Sequence, residues 1–239
     1  MKKRTIALTA AIVVIAGAIT AFILVNNSLG NKVEIESVIP EQAQDSGARK
    51  EGTANAAAAA AAAAVSPEQL NGTWNITEPS KVYWSVTTSK ETVNFVDPSV
   101  KGTWNVNLDD TSAMTGEGAV DMNALDSGTA ARDEHVKGAD FLSVAEFPEA
   151  TFTVKSFSEL PKEWTEGTAV PVQLKGTLTV KGIEKEVTFD SQAAYSGGEL
   201  KLSGTTTVTF EDFGLSNPHS IVLSTENNLE VRLELVLKK

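Results

Sequence analysis

The tetrapeptide Arg-Asp-Glu-His at 132–135 gathers side-chain types that bind metals and move protons, and the chain has one further histidine, His219. Asp133, His135 and His219 could together supply three ligands to a metal ion. However, the two histidines lack the H-x-x-x-H spacing of a helical metal site, and any further ligand would be a carboxylate of unknown position. The sequence therefore predicts solvated loop residues here and no metal site.

A hydrolytic enzyme would need an activated nucleophile. The chain has no cysteine, which removes thiolate nucleophiles, disulfides and the common zinc frameworks together. Serines are numerous, but none stands in a G-x-S-x-G turn, and neither glycine-rich phosphate-binding motif is present. The 31 acidic residues make chance carboxylate pairs inevitable, so such a pair does not indicate a glycosidase. The sequence predicts no catalytic residues, no cofactor and no enzyme activity.

The N-terminus has the pattern of a membrane anchor. Lys2, Lys3 and Arg4 precede 21 uncharged residues, 5–25, which as a helix would measure about 31 Å, close to the thickness of a bilayer core. The basic flank predicts that residues 1–25 anchor the chain with the rest outside the cytoplasm, periplasmic or extracellular. The alternative is a signal peptide cleaved near Ala16-Gly17-Ala18, which would give a secreted protein.

Residues 26–68 mix polar residues with both charge signs and include nine consecutive alanines, Ala56–Ala64. They are predicted to be a flexible, Ala-rich linker, because an alanine run has nothing large to bury. The remaining domain, 69–239, carries the whole formal net charge of −11, since the flank and the linker cancel. Such an acidic domain is not expected to bind nucleic acid or anionic headgroups.

From Gly72 onward, apolar and polar residues alternate with period two, which is typical of antiparallel strands with one dry face. The inward sets include Trp74 and Ile76, Val82, Trp84 and Val86, Val100, Trp104 and Val106, Val172, Leu174 and Leu178, and Leu229, Val231 and Leu233. Short turns at Lys181-Gly182 and Ser196-Gly197-Gly198 join neighbouring strands. About eight such strands are predicted to close into a barrel, whose interior fits side chains or one small ligand.

Two features of this predicted barrel leave alternatives open. Gly102, Gly176 and Gly204 fall on the inward face, where they either allow the sheet to bend or make room for a ligand. The large inward side chains either fill the barrel or line a cavity, and periodicity alone leans towards filling; they are Trp74, Trp84, Phe95, Trp104, Met122 and Phe152.

The pattern is interrupted between Ala124 and Pro148. Ser127 or Thr129 can cap a helix there, a run of helix formers follows, and Gly138 can end it. We predict a short helix and loop that lie across the barrel.

Four motifs in order are similar to those of a known family: VKGTWNV at 100–106, LDSGTAARDEHVKGADFLSVAEFPEATF at 125–152, LKGTLTVKGIEKEVTF at 174–189 and DFGL at 212–215. They resemble the YceI-like family of exported, lipocalin-like barrels known as polyisoprenoid-binding proteins. The resemblance covers roughly residues 72–237.

The resemblance implies an eight-stranded, lipocalin-like antiparallel barrel, without catalysis, whose apolar tunnel holds an isoprenoid or another long-chain lipid. The residues then expected to contact the lipid tail are Trp74, Trp84, Phe95, Trp104, Val106, Met122, Leu125, Phe141 and Phe152. Arg132, Asp133 and His135 would stand at the polar mouth, either as a headgroup contact or as a salt-bridged cap for the helix.

The chain departs from the family pattern at three places, which puts its headgroup preference in doubt. Members commonly carry a His-Ser pair where this chain has Pro79-Ser80, and a second histidine where residues 87–90 have none. They also often carry an arginine at the position of Phe210.

The predicted function is therefore to bind and sequester or carry a long-chain apolar lipid, isoprenoid or quinone-like, outside the cytoplasm. The partners are that lipid and, through the N-terminal helix, a membrane, with no nucleic acid. A homodimer is left open. The alternative is a structural or partner-binding barrel whose core is filled by its own side chains.

Overall fold

The computed structural model describes residues 30–39, 63–218 and 224–239. The predicted anchor at 1–25, most of the predicted linker and His219 lie outside the described residues. Within the described ranges, no helix has the length and apolar character needed to cross a bilayer.

The elements along the chain are mostly strands, with few helices. The strands are β1 (Ala64–Val65), β2 (Gly72–Thr88), β3 (Thr92–Asp97), β4 (Val100–Val106), β5 (Thr115–Asp121), β6 (Glu149–Phe157), β7 (Trp164–Thr165), β8 (Ala169–Val180), β9 (Ile183–Ser196), β10 (Glu199–Thr209) and β11 (Thr225–Lys238). The α-helices are α1 (Pro67–Leu70) and α2 (Ala130–Lys137), and 3-10 turns cover Thr111–Ala113, Met122–Ala124 and Glu211–Phe213.

Eight strands form a closed antiparallel sheet in the order β2-β4-β5-β6-β8-β9-β10-β11, and β11 pairs with β2 to complete the circle. β2 pairs with β11 along one edge, and it is long enough to pair with two strands, β4 and β3, along the other edge. β4 pairs with its first residues, 72–75, and β3 pairs with residues 82–87. The predicted antiparallel barrel of about eight strands with a short helix is confirmed. The end of the barrel at the β2–β3 turn is termed the upper end, and the other the lower end.

The strands face the core as their period of two predicts. In β8, every second residue from Val172 to Val180 is buried and those between are exposed or half-buried. The turn between β8 and β9 has positive φ at both Lys181 and Gly182, 53° and 73°, which is the type I′ geometry that matches the twist of a hairpin.

The inward glycines allow the strands to approach one another. A Cβ atom built on Gly176 would lie 2.3 Å from the carbonyl oxygen of Thr153, and one built on Gly204 would lie 2.1 Å from Ser191 Oγ. Any larger residue would force neighbouring strands apart. Of the two roles considered for these glycines, the structure therefore supports the close approach of neighbouring strands, because no space for a ligand is left beside them.

The lower end of the barrel is closed by residues that the sequence assigned to the linker. Val65 of β1 pairs with Trp164 of β7, and α1 follows directly. Leu70 of α1 is buried, and its carbonyl oxygen accepts a hydrogen bond of 2.7 Å from Trp74 Nε1. The packed domain thus begins several residues before position 69. These residues carry no periodic pattern that would separate them from the alanine run.

A second part of the predicted linker, residues 30–39, lies along the outside of the barrel and is termed the strap. Asn31 Oδ1 accepts a hydrogen bond of 3.0 Å from the backbone N–H of Asn94, and Asn94 Nδ2 donates one of 2.9 Å to the carbonyl of Val33. Val33 and Ile39 are buried. The strap alternates only over four residues, Val33-Glu34-Ile35-Glu36, and has no sustained apolar period, so the sequence pattern did not distinguish it from a free linker.

The strap explains why a carboxylate on the outer face of β11 is fully buried. Glu234 Oε2 accepts a hydrogen bond of 2.9 Å from the backbone N–H of Val38, and its Oε1 accepts one of 2.7 Å from Ser203 Oγ. Arg232 Nη1 lies 3.6 Å from the same Oε1. A buried charge requires such partners, because it has lost its hydration.

The helix predicted around 130–137 is present as α2. Thr129 is its N-cap and Gly138 its C-cap. Ser127, the other candidate cap, is fully buried and donates hydrogen bonds from its backbone N–H and its hydroxyl to Asp133 Oδ1, at 2.9 and 2.6 Å. One carboxylate thus joins the loop before the helix to the helix itself.

Asp97, at the end of β3, is a buried carboxylate with incomplete pairing. Its Oδ1 accepts a hydrogen bond of 2.9 Å from the backbone N–H of Ser99, whereas its Oδ2 has no partner among the described residues. Burial raises the pKa of Asp97 to about 7, and the charge of Asp121 adds to this rise. The folded protein therefore binds a proton here that the unfolded chain releases near pH 4.

Replacing Asp97 by asparagine is expected to flatten the pH dependence of stability. Because the folded pKa is raised, the free energy of unfolding falls as the pH rises from about 4 to 7, by about 3 kcal/mol between pH 5 and pH 8 for this group alone. Asp97→Asn cannot ionise and should lose most of this slope in urea unfolding at the two pH values. Asp140→Asn, at an exposed position, is the control. Equal slopes in wild type and Asp97→Asn would contradict the assignment.

Candidate functional site

A cavity of about 480 Å³ occupies the upper end of the barrel, beneath α2, and is termed the upper chamber. Its wall is almost entirely apolar and consists of Trp84, Val86, Val93, Phe95, Met122, Leu125, Val136, Phe141, Leu142, Val180, Phe210, Phe213, Leu215, Pro218, Thr225 and Leu229. Polar side chains lie at its rim, namely Thr88, Lys90, Glu91, Arg132 and His135.

The β2–β3 hairpin supplies one side of the chamber wall. Trp84 lies opposite Phe95 across the hairpin, and Val86 lies opposite Val93. Because directly paired residues project to the same face of a sheet, these four side chains enter the barrel together. Leu229 of β11 pairs with Val86 on its other side and extends the same surface.

The opposite wall comes from the segment after α2 and from the turn after β10. The rings of Phe141 and Phe210 meet edge to face, with centroids 6.0 Å apart. The ring of His135 lies 6.5 Å from that of Phe141, on the solvent side, since His135 is exposed. The rings of Phe141 and Phe210 therefore form the part of the chamber wall that no strand supplies.

An ion pair holds the turn that carries Phe210 and Phe213. Lys185 Nζ lies 2.5 Å from Asp212 Oδ1, and Asp212 Oδ2 accepts a hydrogen bond of 2.9 Å from the backbone N–H of Thr209. The hydrogen bond from Lys185 lowers the pKa of Asp212. The turn is thereby fastened to β9, which fixes the two rings in the chamber wall.

The strap begins at the chamber rim and connects its two sides. The carbonyl of Gly30 accepts a hydrogen bond of 3.4 Å from Arg132 Nη2 on α2, and the backbone N–H of Asn31 donates one of 2.9 Å to Glu91 Oε2 beside the β2–β3 turn. From there the strap runs towards the lower end, where Val38 reaches Glu234. The described chain thus enters the fold at the chamber mouth.

The interior below the chamber is nearly filled by side chains. One void of about 40 Å³ lies at mid-height, among Trp84, Trp104, Phe152 and Phe189, and another of about 30 Å³ lies near the lower end. Phe152 and Phe189 pack edge to face with centroids 4.9 Å apart. The barrel is therefore hollow at one end and solid at the other.

The predicted tail contacts divide between these two regions. Five of them line the upper chamber, namely Trp84, Phe95, Met122, Leu125 and Phe141. Trp104 and Phe152 surround the void at mid-height, and Val106 borders the lower void. Trp74 is buried at the lower end, where its ring meets that of Tyr195 edge to face.

The predicted polar group also divides. Arg132 and His135 lie at the chamber rim, whereas Asp133 accepts its hydrogen bonds from Ser127 and does not line the chamber. Residues two apart on a helix point in different directions, which separates Asp133 from His135.

Several chamber residues were not among the predicted contacts. The period-two pattern assigned Val86 and Leu229 to the inner face, but nothing in the sequence placed them at the upper end of the barrel. Val136 and Leu215 lie outside the strands, where no period marks the inner side. The sequence offered a signal for Phe210, because it stands where the family pattern often has arginine, and its ring now lines the chamber.

Of the other two departures, one concerns the chamber and one does not. Thr88 and Lys90, in the stretch that lacks the second histidine, lie at the rim. Ser80 lies lower on the wall, where its hydroxyl accepts a hydrogen bond of 2.9 Å from the backbone N–H of Val236. Two of the three departures, Phe210 and the stretch 87–90, thus fall on the wall and rim of the chamber, and the third falls outside it.

This arrangement can shelter an apolar tail and leave a polar group at the rim. Pockets for small apolar ligands have this composition, with few polar groups at one end. In the described ranges, no three histidine, aspartate or glutamate side chains are grouped so as to hold a metal ion.

Curated relatives match part of the chain. Proteins named YceI from Salmonella arizonae and Salmonella paratyphi B are each 34% identical over 98 residues, which is 41% of this chain and 47% of theirs. The match thus spans about half the length of these relatives.

Solved structures share the fold at low sequence identity. BcnA of Burkholderia cenocepacia has a TM-score of 0.57 and 16% identity, over 66% of this chain and 95% of its own. A polyisoprenoid-binding domain from Saccharophagus degradans, implicated in plant cell wall breakdown, has a TM-score of 0.57 and 12% identity, over 69% and 97%. The sequence profile of the YceI-like domain matches residues 74–237, most of the chain and almost the whole barrel, and the chain therefore belongs to the YceI-like family.

Proposed function

We propose that the protein binds a long-chain apolar lipid of the isoprenoid type in the upper chamber, and sequesters or carries it outside the cytoplasm. The observation that carries this proposal is the chamber itself, which is apolar, about 480 Å³ in volume and edged by polar residues at one end. Each methylene group that leaves water for such a wall contributes about 0.8 kcal/mol, so a tail can bind with few polar contacts.

The rim residues suit the polar end of such a lipid. His135 is exposed and lies against Phe141, and Lys90 stands across the mouth on the β2–β3 turn. Both can donate hydrogen bonds to a hydroxyl, carbonyl or phosphate group. Asp133 is engaged by Ser127, so we assign it to the helix and propose binding without catalysis.

The family gives independent support. The domain from Saccharophagus degradans shares the barrel and is a polyisoprenoid-binding domain. At 12% identity the likeness concerns the fold, so the ligand of this chain rests on its own chamber.

A barrel without a lipid ligand is the competing function, and the solid lower half of the core favours it. Extraction of purified full-length protein with organic solvent, followed by mass spectrometry, separates the two. We expect a bound lipid, or uptake of offered farnesol or palmitate by the extracted protein. Protein that carries nothing and takes up neither compound would overturn the proposed function.

Filling the chamber is expected to abolish uptake. Val136 projects from α2 into the chamber and is half-buried, so Val136→Trp adds a ring there with little strain on the strands. We expect at least a tenfold lower occupancy by farnesol, measured by mass spectrometry. Ala131→Trp places the same ring on the exposed side of α2 and should retain wild-type occupancy. Equal uptake by both variants would show that the ligand lies elsewhere.

We further propose that residues 1–25 hold the chamber mouth close to a membrane. The strap starts at the rim, and only residues 26–29 separate Gly30 from the apolar stretch 5–25. Fully extended, that connection reaches roughly 17 Å. The docked strap therefore shortens the tether from the predicted linker of about forty residues to a few. The acidic domain needs this covalent tether, because anionic headgroups repel it.

Two single-cysteine labels test this orientation in a chain without native cysteine. Ile183→Cys marks the start of β9 beside the mouth, and Ser196→Cys marks the end of β9 at the lower end. With full-length protein in phosphatidylcholine vesicles, we expect a headgroup-level quencher to dim the label at position 183 at least twofold more. Asn94→Ala, which removes the hydrogen bond from Asn94 Nδ2 to the carbonyl of Val33 in the strap, should reduce the difference. Equal quenching at both sites would contradict the orientation, and absence of protein from the vesicles would contradict the tether.

A further inference from the structure

We propose that Trp84 is the floor of the upper chamber and sets the length of the lipid tail that the protein selects. The inference rests on the proposed lipid binding and adds a property to it. It assigns the ligand to single-chain isoprenoids of about 15 to 20 carbons, and it excludes full occupancy by long polyprenyl chains.

Trp84 stands between the chamber and the solid part of the barrel. Among the described residues it alone lines both the chamber of about 480 Å³ and the void of about 40 Å³ at mid-height. Trp104 has the same relation to the next level, since it lines both the mid-height void and the lower void of about 30 Å³. Two indole rings thus divide the barrel interior into three levels.

The register of the sheet keeps Trp84 in this position. It belongs to the middle of β2, where it pairs with Phe95 of β3 on one side and with Val231 of β11 on the other. Both neighbours are buried. A ring held between two paired strands cannot move up the barrel without its strand, so the floor height is fixed by the fold.

The level below the floor offers no alternative route for a tail. Phe152 and Phe189 pack edge to face there, and Trp104 packs against Phe157 with centroids 5.7 Å apart. The indole nitrogens of Trp84 and Trp104 are buried without hydrogen-bond partners among the described residues. The rings are thus placed by shape alone, and no polar contact within the barrel holds either of them.

The chamber volume converts to a tail length. A carbon atom of a liquid-like chain occupies about the volume of a water molecule, ~30 Å³, so 480 Å³ holds roughly 16 carbons, or about three isoprene units. A chain of eight units would need about 1200 Å³. Units beyond the third or fourth would remain outside the mouth and add little to binding.

The experiment offers full-length protein an equimolar mixture of geraniol, farnesol, geranylgeraniol and solanesol in phosphatidylcholine vesicles. Bound prenols are then quantified by mass spectrometry against the amounts offered. We expect wild type to enrich the C15 and C20 prenols at least fivefold over the C10 prenol, with no further gain for the C45 prenol. Trp84→Ala joins the mid-height void to the chamber, which makes room for roughly one further isoprene unit of about 150 Å³. Its preference should move from C15 towards C20 by at least threefold.

Trp104→Ala is the matched control, because it removes the same side chain one level lower while the floor remains. It should leave the C15 to C20 ratio unchanged. Val86→Phe works in the opposite direction, since Val86 lines the chamber just above the floor and is half-buried, and it should move the preference towards C10. This variant keeps the test valid if Trp84→Ala does not fold, as judged by circular dichroism.

The outcomes separate the two proposals. If wild type binds no prenol, the proposed lipid binding fails. If it binds prenols without regard to length, or if Trp104→Ala shifts the ratio as much as Trp84→Ala, the assignment of the floor is overturned. A C45 enrichment above that of C20 in wild type would also overturn it.

Discussion

The backbone pairing of β11 with β2 is the contact on which the rest of the structure depends. It turns an open sheet into a closed barrel, and a closed barrel has an interior of fixed volume into which all inward side chains must fit. It also removes the two edges that an open sheet would present to other chains. The remaining question for such a barrel is how much of its interior its own side chains occupy.

This barrel answers that question differently at its two ends. At the lower end, β1, α1 and Trp74 close the opening, and rings fill the space above them. At the upper end, a helix and loops cover the opening, and their side chains leave a chamber. A packed half gives the fold its cohesion, since buried apolar area supplies most folding energy, and it allows the other half to remain hollow.

The sequence predicted the wall of the barrel better than its contents. Period two assigns a residue to the inner or outer face, and this was sufficient for the closed sheet, the hairpin turn at Lys181-Gly182 and the inward set of β8. It says nothing about height along the axis. Trp74 and Trp84 share one strand and one face, yet ten residues separate them, roughly 33 Å along the strand. One therefore belongs to the closed end and the other to the chamber.

The elements that the sequence missed lack any period. The strap alternates over four residues only, 33–36, and hydrogen bonds to amide and carboxylate groups hold it, which leave no sustained apolar pattern to detect. Glu234 looked like an ordinary outward residue of an alternating strand, although the fold buries it completely. Its partner Val38 lies 196 residues away in the sequence, so only the folded barrel could reveal the contact.

The separation of Val38 and Glu234 in the sequence also bears on the order in which parts of the protein fold. The strap belongs to the first part of the chain, but the surface on which it lies includes β11, the final strand. Contacts between residues so far apart form late, because the loop between them must close before they contribute energy. The barrel is therefore expected to close before the strap is fastened to its outer surface. Sheet closure then creates the surface that holds Gly30 at the chamber rim.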